Sequence, residues 1–179
     1  MFKNFVNFFN IHTDYEENAD PFISFINSFG GMQLSDGMFR VFKYDDLKKW
    51  NSIIGEAYKN FSGYFKPFGF DWLGRCFAID CRAKTKGNIL MFEIGTNDVL
   101  EIPCDFLSFL NNEIPEYNDE CLASSFFYEW HQRSKTDINY NQCIGYKVPL
   151  FLGGEDSIDN LEVIDMEVYW SILSQIINQ

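Results

Sequence analysis

A chain of 179 residues with 14 Lys and Arg against 26 Asp and Glu carries a net charge of −12, a field that repels phosphate backbones and anionic lipid and argues against nucleic acid or a membrane as partner. Its length fits one domain, residues 1–179, able to bury about 70% of its unfolded surface without a disulfide or metal staple. Aromatic residues make up 18% of the chain, 20 of them Phe, a composition that favours a substantial sheet.

In chain order, Phe2, Phe5, Val6 and Phe9 recur at helical spacing, while Asn4, Asn7 and Asn10 interrupt the apolar run, so a short amphipathic helix is expected rather than a secretion signal. Asp20-Pro21 opens a second helix with Pro at the first helical position; Phe22, Phe25, Ile26 and Phe29 form its stripe and Gly30-Gly31 stops it. Met38 to Phe42 reads as a strand, and Asp45 to Tyr58 as a helix. Trp72 to Arg82 alternates, with Phe77, Ile79 and Cys81 on one side and Cys76, Ala78 and Asp80 on the other, and predicts a strand. A turn at Lys86-Gly87, a nearly all-apolar strand at Ile89 to Ile94, a loop at Gly95 to Asp98 and a strand at Val99 to Ile102 complete an antiparallel meander. Helical stripes follow at Phe106 to Leu110 and at Leu122 to Trp130. Ile144 to Leu152 reads as a strand that Pro149 confines to an edge or bulge, and Asp165 caps a last helix carrying Met166, Tyr169, Leu173 and Ile176. The predicted class is α+β, a central antiparallel meander flanked by N-terminal and C-terminal helices.

No stretch carries a catalytic or phosphate-binding motif, so Gly30-Gly31 and Gly153-Gly154 read as turns. Of the two histidines, His12 sits by a polar N-terminal loop, and His131 next to Trp130 reads as a helix-surface residue; a dyad with Cys121 or Ser124 stays open on sequence grounds. The five cysteines show no CxxC; Cys76 and Cys81 should face opposite sides of one strand, which argues against zinc, and an odd number in apolar settings suits free thiols in a cytoplasm. No catalytic, cofactor-binding or metal-binding residue is therefore assigned, and no enzyme activity or cofactor is expected. Glu155, Asp156, Asp159, Glu162, Asp165 and Glu167 stand out because no Lys or Arg follows Lys147. They form either a plain solvated face or a docking face for a basic partner, and Glu155, Asp156, Asp159 and Glu162 are the candidate partner-binding residues. Asp71 and Arg75 are positioned to pair around a turn at Gly74, with Trp72 anchored in the core.

The stretches from Phe70 to Asp80, from Val148 to Asp156, Asn160-Leu161-Glu162 and Asp165 to Trp170 resemble a bacterial family, that of the C-terminal domain of a type VI secretion immunity protein paired with a DNase toxin, in which this region often follows a GAD-like segment. The resemblance runs from about Gly37 to Gln179, with residues 1–32 a looser helical match. It implies a non-enzymatic cytoplasmic protein that binds and neutralises a cognate secreted toxin without saying which; the chain's charge suits a basic effector, of which a nuclease is one kind. It brings no catalytic residues. The alternative is a regulatory or scaffold binding module of the similar SUKH-like fold; a hydrolase ranks third. The oligomeric state is not legible.

Overall fold

The computed structural model describes residues 1–13 and 19–179, so the polar N-terminal loop next to His12 lies partly outside the described residues. Eight strands and their connecting helices follow the chain. Helix α1 is Lys3–Phe8, α2 Pro21–Phe29 and α3 Leu47–Ala57; the first strands are β1 Gln33–Leu34, β2 Phe39–Val41, β3 Phe65–Asp71, β4 Cys76–Asp80, β5 Ile89–Glu93 and β6 Asp98–Ile102. These six strands form one antiparallel sheet in chain order, with Phe39 opposite Asp71, Phe70 opposite Cys76, Phe77 opposite Met91 and Met91 opposite Leu100. A helical stretch then runs through α4 Phe106–Ser108, a π-helical turn at Phe109–Glu113 and α5 Ile114–Glu116, followed by α6 Asn118–Leu122 and α7 Ser124–Ser134. Strands β7 Gln142–Tyr146 and β8 Leu161–Asp165 make a separate two-stranded antiparallel sheet, and α8 Met166–Ile177 ends the chain. The protein is α+β, as the periodicity predicts.

The meander buries both of its faces. Phe68, Phe77, Ile89 and Met91 look towards α1, α2 and the α4–α7 stretch. Phe70, Cys76, Ala78, Leu90 and Phe92 look towards α3 and α8. That double coverage explains why β5 is apolar almost throughout, since a strand with no solvated face needs no polar alternate. The N-terminal helices belong to the first of these cores: Phe2 and Phe5 meet Phe25 and Phe29 at ring distances of 5.3–5.6 Å in mostly edge-on geometry. Asn111, on the π turn, accepts from the Asn4 amide and donates to the Met1 carbonyl.

Local signals act as read. Asp20 accepts from the Phe22 and Ile23 amides to cap α2, and Asp165 accepts from the Val168 amide to cap α8. Two expectations in the middle are corrected. Trp72 does not begin a strand; it sits in the 71–75 turn, and β4 starts only at Cys76. The strand before that turn, β3, is absent from the sequence reading because Pro67 and Gly69 read as breakers. The structure absorbs them in a register shift between Pro67 and Gly69, where a Cβ on Gly69 would sit 2.6 Å from the Phe39 ring. Near the C-terminus the predicted 144–152 strand stops at Tyr146 and gives way to a 3-10 turn at Leu150–Leu152, and β8 lies within what reads as an acidic run. The Leu122–Trp130 stripe is broken at Ala123, whose φ of 49° separates α6 from α7.

Candidate functional site

The candidate acids lie on the loop that joins β7 to β8 and on β8 itself. Asn160 builds that loop: its side-chain amide donates to the Val148 and Glu155 carbonyls at 2.8 Å each, and its Oδ1 accepts from the Val148 amide at 3.0 Å. Gly154 packs against Val148 so closely that a Cβ would meet the Val148 carbonyl oxygen, and Gly153 takes a φ of 89°; the glycine pair is a turn, as expected. Glu155, Asp156, Asp159 and Glu162 are all exposed, as are Asp165 and Glu167. They divide by task. Asp156 accepts from the Tyr146 hydroxyl at 2.7 Å, Asp165 caps α8, and Glu167 pairs with Lys49 at 2.9 Å. Among the described residues the carboxylates of Glu155, Asp159 and Glu162 have no hydrogen-bond or ion-pair partner, and the nearby Lys147 ammonium donates to the Asp159 carbonyl. These three free carboxylates, two on the loop and one on β8, give this side a net negative face.

The dyad that the sequence leaves open at His131 does not form with Ser124. The Ser124 hydroxyl donates to Asn118 Oδ1 at 2.6 Å, not to His131. His131 stacks on Phe127 with ring centroids 5.6 Å apart, and its Nδ1 is buried with no partner. Burial pushes the Cys121 thiol up to about 11 and the Cys143 thiol up to about 12, so neither supplies a thiolate at neutral pH. All five cysteines are free thiols, and no group of three or more metal-binding side chains occurs among the described residues. A groove of about 590 Å³ between α3 and β3 is lined by Leu47, Lys48, Asn51, Lys66 and Pro67, with Glu56 held by the Ser52 hydroxyl; it brings no acid–base pair together.

The 71–75 corner is scaffold. Arg75 Nε donates to Asp71 Oδ2 at 2.6 Å, and the amides of Leu73 and Arg75 donate to Asp71 Oδ1, with both side chains buried. From this corner three donors and acceptors reach outward: Arg75 Nη2 to the Cys121 carbonyl, Trp72 Nε1 to the Leu122 carbonyl, and the Gly74 carbonyl to Trp170 Nε1. Arg40 lies alongside, fully buried, donating to the Asp71, Asn139 and Gln142 carbonyls. Sequence reasoning identifies the Asp71–Arg75 pair and misses Arg40, which no local pattern distinguishes from an exposed strand residue.

A second signal also escapes the sequence reading. From residue 87 to residue 132 there is no Lys or Arg, while Asp and Glu occur nine times. This stretch contains β6 and α4 to α6. There an apolar groove of about 280 Å³ opens between β6 and the α5–α6 segment, lined by Met91, Leu100, Ile102, Tyr117 and Cys121, with Glu113 and Glu120 also at its edge.

Residues 105–177 match the family model described as T6SS immunity protein Tdi1, C-terminal, a family of type VI secretion immunity proteins. The match spans α4 to α8, including the acidic loop and one wall of the apolar groove. Among solved structures, the chain is similar to one titled "Crystal structure of Atu4351 from Agrobacterium tumefaciens", with a TM-score of 0.61 and 16% identity over 98% of this chain and 89% of that one, a likeness of fold. No curated protein matches the chain. No helix among the described residues is long and apolar enough to cross a membrane.

Proposed function

We propose, from the match of residues 105–177 to the model of a type VI secretion immunity family, that this chain is a non-enzymatic immunity protein that binds a secreted toxin in the cytoplasm and blocks it. The family match is the observation that carries the reading. Charge supports the finer part of it. A nuclease must hold phosphates in a cationic groove. A chain of net charge −12 that presents the free carboxylates of Glu155, Asp159 and Glu162 suits such a groove and would be steered to it. The toxin is then a basic nuclease, and the β7–β8 loop is part of the surface that meets it.

Co-expression tests this directly. Cells producing the secreted effector encoded beside this chain should survive when the chain is present and die when it is absent, and the two proteins should co-purify as a stable complex. Survival without complex formation would replace neutralisation by binding with another mechanism. Death despite soluble chain would end the immunity reading.

A further inference from the structure

The β6 side of the molecule combines three properties around one apolar groove. The first is exposed apolar surface: Leu100 is 48% and Tyr117 49% exposed, and between them Met91 and Cys121 lie buried at the base of the groove. Single exposed apolar residues are ordinary, but two large ones facing each other across a groove offer the kind of pocket that receives an anchoring side chain. The second is an open edge. Strand β6 is terminal in the six-stranded sheet, with β5 as its neighbour there, so its outer side offers backbone donors and acceptors to an added segment. The third is uncompensated charge. Glu113 and Glu120 line the groove, and their carboxylates have no hydrogen-bond or ion-pair partner among the described residues, in a stretch of 46 residues without a Lys or Arg.

The geometry points to this groove as the anchor of the complex, taking a basic segment of the toxin whose apolar side chain enters between Leu100 and Tyr117 while its Lys or Arg residues meet Glu113 and Glu120. The inference rests on the immunity reading and names the face that holds the partner. Charge selects the occupant. A second copy of this chain docked through the same groove would bring Glu113 and Glu120 against their own kind, a like-charge arrangement that disfavours self-pairing. The groove also adjoins the loop already described. The Leu150 amide donates to the Gly95 carbonyl in the β5–β6 turn at 2.9 Å, so β6 and the β7–β8 loop share a boundary, and one basic partner can reach both. In such an interface the apolar anchor governs how long the complex lasts, and the outlying carboxylates govern how fast it forms.

The test measures binding of the full chain to the secreted effector encoded beside it, with thermal unfolding of each variant alongside. Leu100→Ser combined with Tyr117→Ala should weaken Kd by about 30-fold or more, chiefly through faster dissociation, at an essentially unchanged melting temperature. Glu113→Lys combined with Glu120→Lys keeps the groove's shape and should weaken binding most at low salt. If wild type binds and both double variants bind within about twofold of it, the groove is not the anchor and the immunity reading stands. If wild type does not bind at all, that reading itself fails and takes the groove with it. If wild type alone sediments as a dimer that Leu100→Ser abolishes, a second copy fills the groove and the proposal is overturned.

Discussion

Of the three long stretches of this chain that lack any Lys or Arg, residues 4–39, 87–132 and 148–179, the last two differ in a way that teaches what charge alone does not. In residues 148–179, the acids sit on a loop whose backbone Asn160 pins down, on β8 and at the start of α8, and three of the six already have work: Asp156 with Tyr146, Asp165 at the α8 cap, Glu167 with Lys49. In residues 87–132, Glu113 and Glu120 border exposed apolar side chains at a sheet edge. A run of acids is visible at a glance in a sequence, yet a solvated face and a docking face look the same there. The distinction comes from apolar residues far apart in the chain, Leu100 and Tyr117, which only the fold brings together.

The sharpest way to break the comparison is to remove what both regions share. Trp72 is fully buried, packs on Phe126, Phe127 and Trp130, and donates to the Leu122 carbonyl, so Trp72→Ala should cost about 3–5 kcal/mol of stability, read by chemical denaturation. A shift under about 1 kcal/mol would mean the corner does not support the helices that carry the groove. Next in size is the groove against the loop. The Leu100→Ser, Tyr117→Ala pair should lower affinity, whereas charge reversal at Glu155, Asp156 and Asp159 should mainly slow association, an effect that shrinks as the Debye length falls from about 10 Å at 0.1 M salt to about 3 Å at 1 M. Stopped-flow mixing with the effector at two salt concentrations separates the two. Equal effects on dissociation would erase the distinction between anchor and steering face.

Smaller still is the stability change within that loop. Glu155→Lys and Asp159→Lys should each fall within about 0.5 kcal/mol of wild type. Asp156→Lys, which loses the hydrogen bond from Tyr146, should cost about 1 kcal/mol. Denaturant midpoints of the three single variants check this ordering. The finest test uses pH at the Arg82 ion pairs that join β4 to β6. Glu101 pairs with Arg82, which also grips Asp80, whose side chain is fully buried. Burial works to raise the Asp80 carboxyl, but hydrogen bonds from Arg82 and Thr85 outweigh it and hold the group below its usual range. A depressed carboxyl contributes stability above its unfolded value of about 3.9 and loses it as pH falls through the folded value. Asp80→Asn should therefore be less stable than wild type at pH 7, and the gap should narrow progressively as pH falls below about 4. A gap that does not narrow with falling pH would mean the ion pair is not its source.

The sequence made most helices and four of the six meander strands readable because their signals are local: the Asp20-Pro21 cap, the Asp165 cap, and the alternation in Cys76 to Cys81. It hid β3 because Pro67 and Gly69 count as breakers unless a bulge accommodates them, and that bulge forms only in the pairing with Ala78 and Phe77 of β4. It hid β8 because Leu161 to Asp165 alternates only weakly amid acids. The candidate acids were legible as exposed, the Asp71–Arg75 pair was legible from its spacing, and the groove was not legible at all.

The corner at residues 71–75 also has a consequence for how the chain is made. Strands β2 to β6 pair with neighbours close in sequence, so the meander can assemble as it leaves the ribosome, with α1 and α2 ready to cover one face. The corner's partners at Cys121, Leu122, Ile144 and Trp170 arrive later, up to 96 residues after Gly74. At a synthesis rate of roughly 5–20 residues per second, the face bearing Phe70, Leu90 and Phe92 waits several seconds for α8, sheltered until then only by α3. The vulnerable interval in the making of this fold is therefore the few seconds before α8 emerges, and a chaperone's natural target is that half-covered sheet rather than the folded molecule.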